Sequence, residues 1–272
     1  MMRILRIGIS ILFVLTLALF AFTWYRAEYK ADKTLPVIKI KGDMLEVSLD
    51  ATDAELLKGV SAYDKKDGDL TDRVIVESIS KFTDVGVCKV YYAVCDNDDH
   101  VASASRKITY KGYRPPRFTM NRSLCFSQME SIDVAGVIGA KDVLDGDISS
   151  NIIITSADYE YGVIGTYTVK AEVSNSKGDQ ISISLPLIVE DRNINAPTVT
   201  LSKYLIYVKK GTAVNPRKFF VSALDSYNAD VSDTLVMENN YKSSKEGIYS
   251  FHYYVTDQLG RQGHAVLTVV VE

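Results

Sequence analysis

Residues 62–74 read AYDKKDGDLTDRV, and two later stretches repeat the same frame: AKDVLDGDISSNI at 140–152 and ALDSYNADVSDTL at 223–235. The alanines that open these stretches stand 78 and then 83 residues apart. A period of this size is typical of tandem copies of one small folded unit. The sequence therefore predicts three related units of about 80 residues each.

A second frame begins about 24 residues after each alanine and shows the periodicity of a strand. Every second residue is apolar, and most residues between are polar, which is typical of a strand with one buried and one solvated face. Each strand is followed by a turn and another alternating stretch, at 101–110, 181–189 and 266–271. We therefore predict antiparallel sheets that pack in pairs as sandwiches. The three copies of the second frame are GVCKVYYAVCDNDD at 86–99, GTYTVKAEVSNSKG at 165–178 and GIYSFHYYVTDQLG at 247–260.

The turn that follows this strand has its own sequence signal. Gly178 and Gly260 occupy the fourth turn position in the second and third units, where a positive φ is tolerated. Asp99 stands there in the first unit. We predict a left-handed residue at all three positions, with some conformational cost at Asp99.

The frames together resemble a known family. Residues 59–69 and 86–96 match best the immunoglobulin-like repeats of many bacterial surface proteins, of the kind found in a pesticidal crystal protein and often described as a domain of unknown function. The third unit departs from the pattern, because Asn228 and Ala229 replace the Asp-Gly pair. The resemblance implies an all-β chain of three tandem immunoglobulin-like β-sandwiches. The predicted domains are 34–112, 113–192 and 193–272, behind a segment of residues 1–33 that holds a short cytoplasmic tail, an anchor and a linker.

Residues 7–25 form an uncharged, largely apolar run of 19 residues with basic side chains at both ends. A bilayer-spanning helix needs about 20 such residues, whereas the apolar core of a cleaved signal peptide has about 7–15. We therefore predict an uncleaved transmembrane helix, with a cleaved export signal as the alternative. Either one places the remaining residues outside the cytoplasm. The side chains expected at the membrane interface are Arg3, Arg6, Trp24, Tyr25 and Arg26.

Charge and composition exclude several classes of protein. The 272 residues carry a net charge of −3, which argues against a dedicated nucleic-acid binder. A hydrophobic content of 47% argues against overall disorder. The average conceals two unlike parts, because residues 1–33 carry +3 and the remaining residues carry −6.

Carboxylates cluster in the first two units, at the turn that follows each opening alanine. Hard cations such as Ca²⁺ take several oxygen ligands, so these side chains are candidate calcium ligands. The alternative, which we favour, is that they accept hydrogen bonds from turn amides. The third unit supports the turn role, because it keeps the turn pattern although it lacks the middle carboxylate. We therefore assign no cofactor. The calcium candidates are Asp64, Asp67, Asp69, Asp96, Asp142, Asp145 and Asp147.

The three cysteines do not predict a disulfide. Cys88 and Cys95 lie on one predicted strand, roughly 23 Å apart in extended chain, and a disulfide needs Cα atoms closer than about 7 Å. By parity Cys88 faces inward and Cys95 outward, and we expect no bridge from Cys95 to Cys125.

No residues form a recognisable catalytic motif, so we assign no catalytic residues and predict that the protein is not an enzyme. His252 and His264 fall on consecutive predicted strands, which makes them candidate neighbours. We expect two solvent-facing surface histidines rather than a metal site.

The sequence thus predicts a membrane-anchored bacterial cell-surface protein. Its expected role is that of a stalk or adhesive module that engages cell-wall polymer, glycan or another protein. The alternative is a secreted accessory module of an envelope enzyme or transporter, released by signal cleavage.

Overall fold

A computed structural model of the protein describes residues 2–30 and 33–272, with side chains described for residues 6–26 and 33–272. Helix α1 (Met2–Lys30) opens the chain, and its side chains from Arg6 to Arg26 are all exposed. This 21-residue segment is about 30 Å long, which matches the hydrocarbon thickness of a bilayer. Within the described residues it is the one helix long and apolar enough to cross a membrane.

The first compact unit comprises the residues up to Ser80 together with Val87–Tyr110. It holds two sheets, in the strand orders β1-β3-β4 and β2-β7-β6-β5. All neighbouring strands run antiparallel except β2, which runs parallel to β7. The elements are β1 (Val37–Ile40), β2 (Met44–Val47), α2 (Asp53–Leu56), β3 (Val60–Asp64), β4 (Gly68–Asp69), β5 (Ile75–Ile79), β6 (Val87–Cys95) and β7 (Val101–Tyr110).

The second compact unit comprises Lys81–Gly86 and Lys111–Glu272, and it contains two further sandwiches. The second sandwich has the strand orders β8-β10-β11 and β9-β14-β13-β12, with β9 parallel to β14. Its strands are β8 (Arg117–Met120), β9 (Cys125–Ser127), β10 (Ile138–Asp142), β11 (Gly146–Asp147), β12 (Ile153–Ala157), β13 (Gly165–Ser174) and β14 (Gln180–Glu190).

The third sandwich has the strand orders β15-β17 and β16-β20-β19-β18, with β16 parallel to β20. It follows the second sandwich except that an isolated bridge between Leu224 and Asp230 replaces the third strand of the smaller sheet. The predicted all-β fold is therefore confirmed, and the three domain boundaries stay a prediction. Its strands are β15 (Thr198–Leu201), β16 (Leu205–Val208), β17 (Phe220–Leu224), β18 (Val236–Asn239), β19 (Gly247–Thr256) and β20 (Gln262–Val271). Single 3₁₀ turns lie at Thr71–Arg73, Ser149–Asn151, Pro216–Phe219 and Ser232–Thr234.

The alternation in the second frame places the core as predicted. In β6 the side chains of Cys88, Val90, Tyr92 and Val94 are buried, and the residues between them are partly or largely exposed. The equivalent strands β13 and β19 bury the same alternate positions toward their C-terminal ends. The buried residues there are Val169, Ala171 and Val173 in β13, and Phe251, Tyr253 and Val255 in β19.

Strand β20 departs from the alternation, because all residues from Gly263 to Val269 are buried. One face, including Leu267, packs into the core of the third sandwich. The other face, including Val270, packs against the core of the second sandwich. Ser123 of that sandwich also bonds the backbone of β20: its hydroxyl donates to the Val266 carbonyl oxygen (3.2 Å) and accepts from the Val266 amide (2.8 Å). The contact between the second and third sandwiches therefore covers a strand face that would otherwise be solvated.

Candidate functional site

Three strands bring a thiol, a carboxylate and an imidazole together in the second compact unit. Cys125 lies in β9, Glu190 ends β14, and His264 lies near the start of β20. Cys125 Sγ is 3.3 Å from His264 Nδ1, and the same nitrogen is 2.7 Å from Glu190 Oε2. We call these residues the Cys–Glu–His cluster. Among the side chains that the structure describes, they alone bring three potential metal-ligand atoms of His, Cys, Asp or Glu within 4.8 Å of one another.

Burial and a neighbouring cation set the electrostatics of this cluster. Cys125 is 4% exposed and His264 is 8% exposed. Burial and the Glu190 charge raise the pKa of the Cys125 thiol well above its ordinary value. Burial alone would also raise the pKa of Glu190, but the hydrogen bond from His264 and the charges of His264 and Arg192 hold it below its ordinary value. Glu190 is thus an ionised carboxylate in a partly buried setting.

Arg192 ties this carboxylate to the surrounding backbone. Its guanidinium donates to the carbonyl oxygens of His264 (3.2 Å) and Cys125 (3.4 Å). Arg192 Nη1 also lies 3.5 Å from Glu190 Oε1. That oxygen is buried and accepts no hydrogen bond from any residue that the structure describes. Glu190 Oε1 therefore has a cationic neighbour but accepts no hydrogen bond from a described residue.

The remaining nitrogen of the His264 ring meets a second histidine. His252 Nδ1 lies 3.0 Å from His264 Nε2, which confirms that the two residues are neighbours. The Tyr254 ring stacks on the His264 ring at 4.4 Å between centroids. Burial and the charge of His264 lower the pKa of His252.

The prediction that both histidines face solvent is wrong for His264. Strand parity does place it on the face away from its own core, next to His252. However, β9 and the end of β14 in the second sandwich cover that face, so His264 is buried and His252 is half-buried.

A cleft of about 800 Å³ opens beside the cluster, where the second and third sandwiches meet. Cys125 and His264 form part of its wall. The volume lies within the range of small-molecule sites, roughly 300–1,000 Å³. Other residues of the wall include Arg122, Met129, Glu130, Arg192, Ile194, Pro197 and Tyr204.

The calcium candidates of the opening turns accept hydrogen bonds from the backbone. Asp64 Oδ1 accepts from the amides of Lys66 (2.7 Å) and Asp67 (3.0 Å). Asp142 does the same in the second sandwich, with the amides of Leu144 (2.8 Å) and Asp145 (3.0 Å).

The second carboxylate of each opening turn accepts a hydrogen bond from the turn that follows the second frame of the same unit. Asp67 Oδ2 accepts from the amide of Asn97 (2.8 Å), and Asp145 Oδ2 accepts from the amide of Ser176 (2.6 Å). Asp96 Oδ1 accepts from the amides of Asp98 and His100, and Asp96 Oδ2 lies 2.8 Å from His100 Nδ1.

The last carboxylates of the opening turns, Asp69 and Asp147, accept from Thr71 and Ser149, which lowers the pKa of both acids. These bonds give each candidate a role in its turn, and a calcium site there stays a prediction.

The residues expected at the membrane interface lie at the ends of the apolar segment of α1. Arg6 stands at one end, and Trp24, Tyr25 and Arg26 stand at the other, all with exposed side chains. The side chain of Arg3 lies outside the described residues. Their interface role stays a prediction.

The cysteines are placed as the strand parity predicts. Cys88 is fully buried, whereas Cys95 is exposed. Cys95 and Cys125 are both free thiols.

Sequence reasoning missed the association of Cys125 and Glu190 with His264. Neither residue belongs to the repeated frames, and β9 is only three residues long, too short to show a period. The available signal was the parity of His252 and His264, which predicted only that pair.

Two proteins share part of the sequence. A 136-residue stretch is 29% identical to pesticidal crystal protein Cry22Aa of Bacillus thuringiensis, and a 137-residue stretch is 31% identical to an uncharacterized 81.3 kDa protein of Acholeplasma phage L2. Each match covers 48% of this chain and 18% of the other protein. The chain therefore matches less than a fifth of the length of either relative. No family profile matches the chain.

Solved structures overlay only loosely. The M60 catalytic domain with two CBM51 domains from Clostridium perfringens ZmpB matches 87% of this chain and 30% of its own, at 14% identity and a TM-score of 0.24. Drosophila N-cadherin EC1-4 matches 88% of this chain and 75% of its own, at 14% identity and a TM-score of 0.23. Overlays at these scores carry no information about function.

Proposed function

We propose that this chain is a non-enzymatic bacterial cell-surface protein that α1 anchors in the membrane. Its sandwiches would stand outside the cytoplasm as a stalk or adhesive module for cell-wall polymer, glycan or protein. The observation that carries the binding role is the cleft of about 800 Å³ between the second and third sandwiches. We further propose that the sandwiches belong to the immunoglobulin-like repeat family that the frames resemble, which the partial match to the pesticidal crystal protein supports.

The anchor rests on the exposure of α1. Its apolar side chains from Ile7 to Tyr25 are all exposed, although side chains of this kind are normally removed from water. A bilayer would cover them, and the aromatic pair Trp24 and Tyr25 would lie at the level of the lipid headgroups.

The binding role rests on the wall of the cleft. Arg122 and Arg192 both form ion pairs with Glu130 on this wall. A guanidinium has five N–H donors, so the donors outside these pairs suit acidic or hydroxyl-bearing groups. Beside them Met129 is 82% exposed and Ile194 is 95% exposed, so apolar surface is available next to the charged groups. A mixture of apolar area and a few fixed polar groups is typical of ligand sites.

Binding arrays of glycans, peptidoglycan fragments and proteins test the adhesive role, with the full chain in detergent micelles as the probe. We expect a specific signal that Ile194→Asp reduces, because this change places a charge on the rim of the cleft. Leu259→Asp is the matched control, since Leu259 is 69% exposed and does not line the cleft. Absence of any specific signal, or equal loss in both variants, would reject the cleft as a binding site.

The second candidate is a secreted accessory module, which the position of α1 near the N-terminus also fits. The mature N-terminus of the exported protein separates the two candidates. Met1 or Met2 retained in the membrane fraction supports the anchor. A soluble protein that begins near residue 25 supports secretion.

A further inference from the structure

We propose that Cys125, Glu190 and His264 bind Zn²⁺ or a similar divalent transition metal where the second and third sandwiches meet. This inference is independent of the adhesive role. The proposed binding role assigns no function to these three side chains.

The donor set points to a borderline-soft metal. Zn²⁺ is bound in proteins by thiolate sulfur, imidazole nitrogen and carboxylate oxygen, and the cluster supplies one of each. Ca²⁺ and Mg²⁺ take oxygen ligands almost exclusively, so a site with sulfur and nitrogen donors disfavours them.

The spacing of the donors is close to that of a tetrahedral site. Bond lengths of about 2.3 Å to sulfur and about 2.0 Å to nitrogen or oxygen separate S from N by about 3.5 Å and N from O by about 3.3 Å. The observed separations are 3.3 Å from Cys125 Sγ to His264 Nδ1, and 2.7 Å from that nitrogen to Glu190 Oε2. The sulfur needs to move by only a few tenths of an ångström. The larger adjustment falls on Glu190, whose side chain is the most exposed of the three at 24%.

Glu190 provides a second observation that points to a ligand. Its Oε1 is buried and accepts no hydrogen bond from the described residues. A buried polar atom without a donor normally costs free energy, and coordination that reaches Oε1 as well as Oε2 would offset that cost. With thiolate and carboxylate both ionised, a bound Zn²⁺ would make the three ligands and the metal neutral together, and Arg192, 3.5 Å from the same oxygen, would add one positive charge.

The geometry separates a metal site from a catalytic triad. In a triad, the nucleophile and the orienting acid sit on opposite nitrogens of the histidine ring. Here Cys125 and Glu190 both approach Nδ1 of His264, and His252 faces the other nitrogen. Convergence of two donor groups on one ring nitrogen suits a shared ion rather than a proton relay.

His252 is then a positioning residue. If His264 Nε2–H donates to His252 Nδ1 at 3.0 Å, the tautomer leaves Nδ1 of His264 with a lone pair toward the metal. The stacked Tyr254 ring fixes the plane of the imidazole. Loss of such a supporting group typically weakens metal affinity about 10–100-fold.

The cleft supplies access. Cys125 and His264 form part of its wall, so a metal held by three protein ligands would face a solvent-filled space. A fourth position open to water or to an incoming ligand is characteristic of zinc sites that do more than stabilise a fold.

Cobalt(II) substitution tests the site in the reduced, chelator-treated full chain. We expect one Co²⁺ per chain, intense visible bands of tetrahedral Co²⁺, a thiolate-to-cobalt charge-transfer band, and displacement of Co²⁺ by Zn²⁺. Cys125→Ser should abolish the charge-transfer band. Cys95→Ser, which removes the exposed thiol, should leave it unchanged. A wild-type protein that shows no charge-transfer band at saturating Co²⁺ overturns the proposal without any variant.

The affinity for Zn²⁺ and the charge-transfer band together distinguish metal ligands from the positioning residue His252. We expect Glu190→Gln to weaken Zn²⁺ binding and His252→Gln to weaken it about 10–100-fold while the charge-transfer band is retained at saturation. His100→Gln is the control, since that histidine belongs to the first compact unit. Far-ultraviolet circular dichroism of each variant confirms folding. Unchanged Zn²⁺ affinity in folded Cys125→Ser, or a band that depends on Cys95, refutes the assignment.

Discussion

At the residue scale, a buried arginine organises the first sandwich. Arg106 is 5% exposed, and its Nε donates to the Tyr92 hydroxyl at 2.8 Å. Arg106 Nη2 and the Tyr92 hydroxyl both donate to the Leu56 carbonyl oxygen, at 2.6 Å and 2.8 Å. Tyr92 therefore accepts from a buried charge and also links strand β6 to the short helix α2.

Tyr92→Phe should destabilise the first sandwich by about 1.5–3 kcal/mol, because it leaves a buried guanidinium N–H without its acceptor. Tyr253 stands at the same repeat position in the third sandwich, and its hydroxyl donates to the Pro216 carbonyl oxygen at 2.7 Å without a described arginine as its donor. Tyr253→Phe should cost less, about 0.5–1.5 kcal/mol. Hydrogen exchange followed by mass spectrometry reports each sandwich separately. Equal losses in the two sandwiches would contradict the role given to Arg106.

At the element scale, the turns after β6, β13 and β19 confirm the predicted left-handed position. Asp99 has a φ of 65°, Gly178 of 81° and Gly260 of 76°. The opening turn of the third sandwich departs from its counterparts. There the positive φ of 64° falls on Asn228, whereas Gly68 and Gly146 carry it in the first two sandwiches. The loss of glycine from the Asp-Gly pair therefore moves the left-handed residue by one position.

Asp99→Gly should stabilise the first sandwich by about 1 kcal/mol, because glycine adopts positive φ without the steric cost of a Cβ. Gly260→Asp is the converse change in the third sandwich, where no other atom lies within 4 Å of an added Cβ. It should cost a similar amount. Denaturant midpoints for both variants, read with local hydrogen exchange, check the sign. A loss of stability in Asp99→Gly would show that the interactions of the aspartate side chain outweigh the steric cost of its positive φ.

The repeats predicted the strands better than they predicted the site. The last strand of the first unit was expected at 101–110 and is β7, with those bounds. The last strand of the third unit was expected at 266–271, but β20 begins at Gln262. Gly263 and His264 interrupt its apolar pattern and still pair with Val255 and Tyr254.

The Cys–Glu–His cluster depends on information that a single unit does not contain. Cys125 and Glu190 come together through the parallel pairing of β9 with β14, and His264 joins them from another sandwich. Contacts between two copies leave no period in the sequence, so the repeats do not predict them.

At the scale of the whole molecule, the proposed membrane role of α1 makes a direct prediction. Leu15→Arg places a charge near the middle of the apolar segment, which costs about 2.5–3.5 kcal/mol on insertion scales. We expect this variant to be lost from the alkali-resistant membrane fraction, whereas Leu15→Val should remain there. Wild-type protein that alkali releases from membranes would contradict the anchor.

The parallel pairing of an early strand with the last strand in every sandwich has a mechanical consequence. When the chain is pulled from both ends, β2 is drawn toward its start and β7 toward its end, so their hydrogen bonds are loaded together in shear rather than opened one by one. The patch has four residue pairs in the first and third sandwiches and three in the second. The second sandwich is thus expected to yield at the lowest force. Cys125 and Glu190 lie on the two strands of that shortest patch, where a bound ion would act as a cross-link against tension.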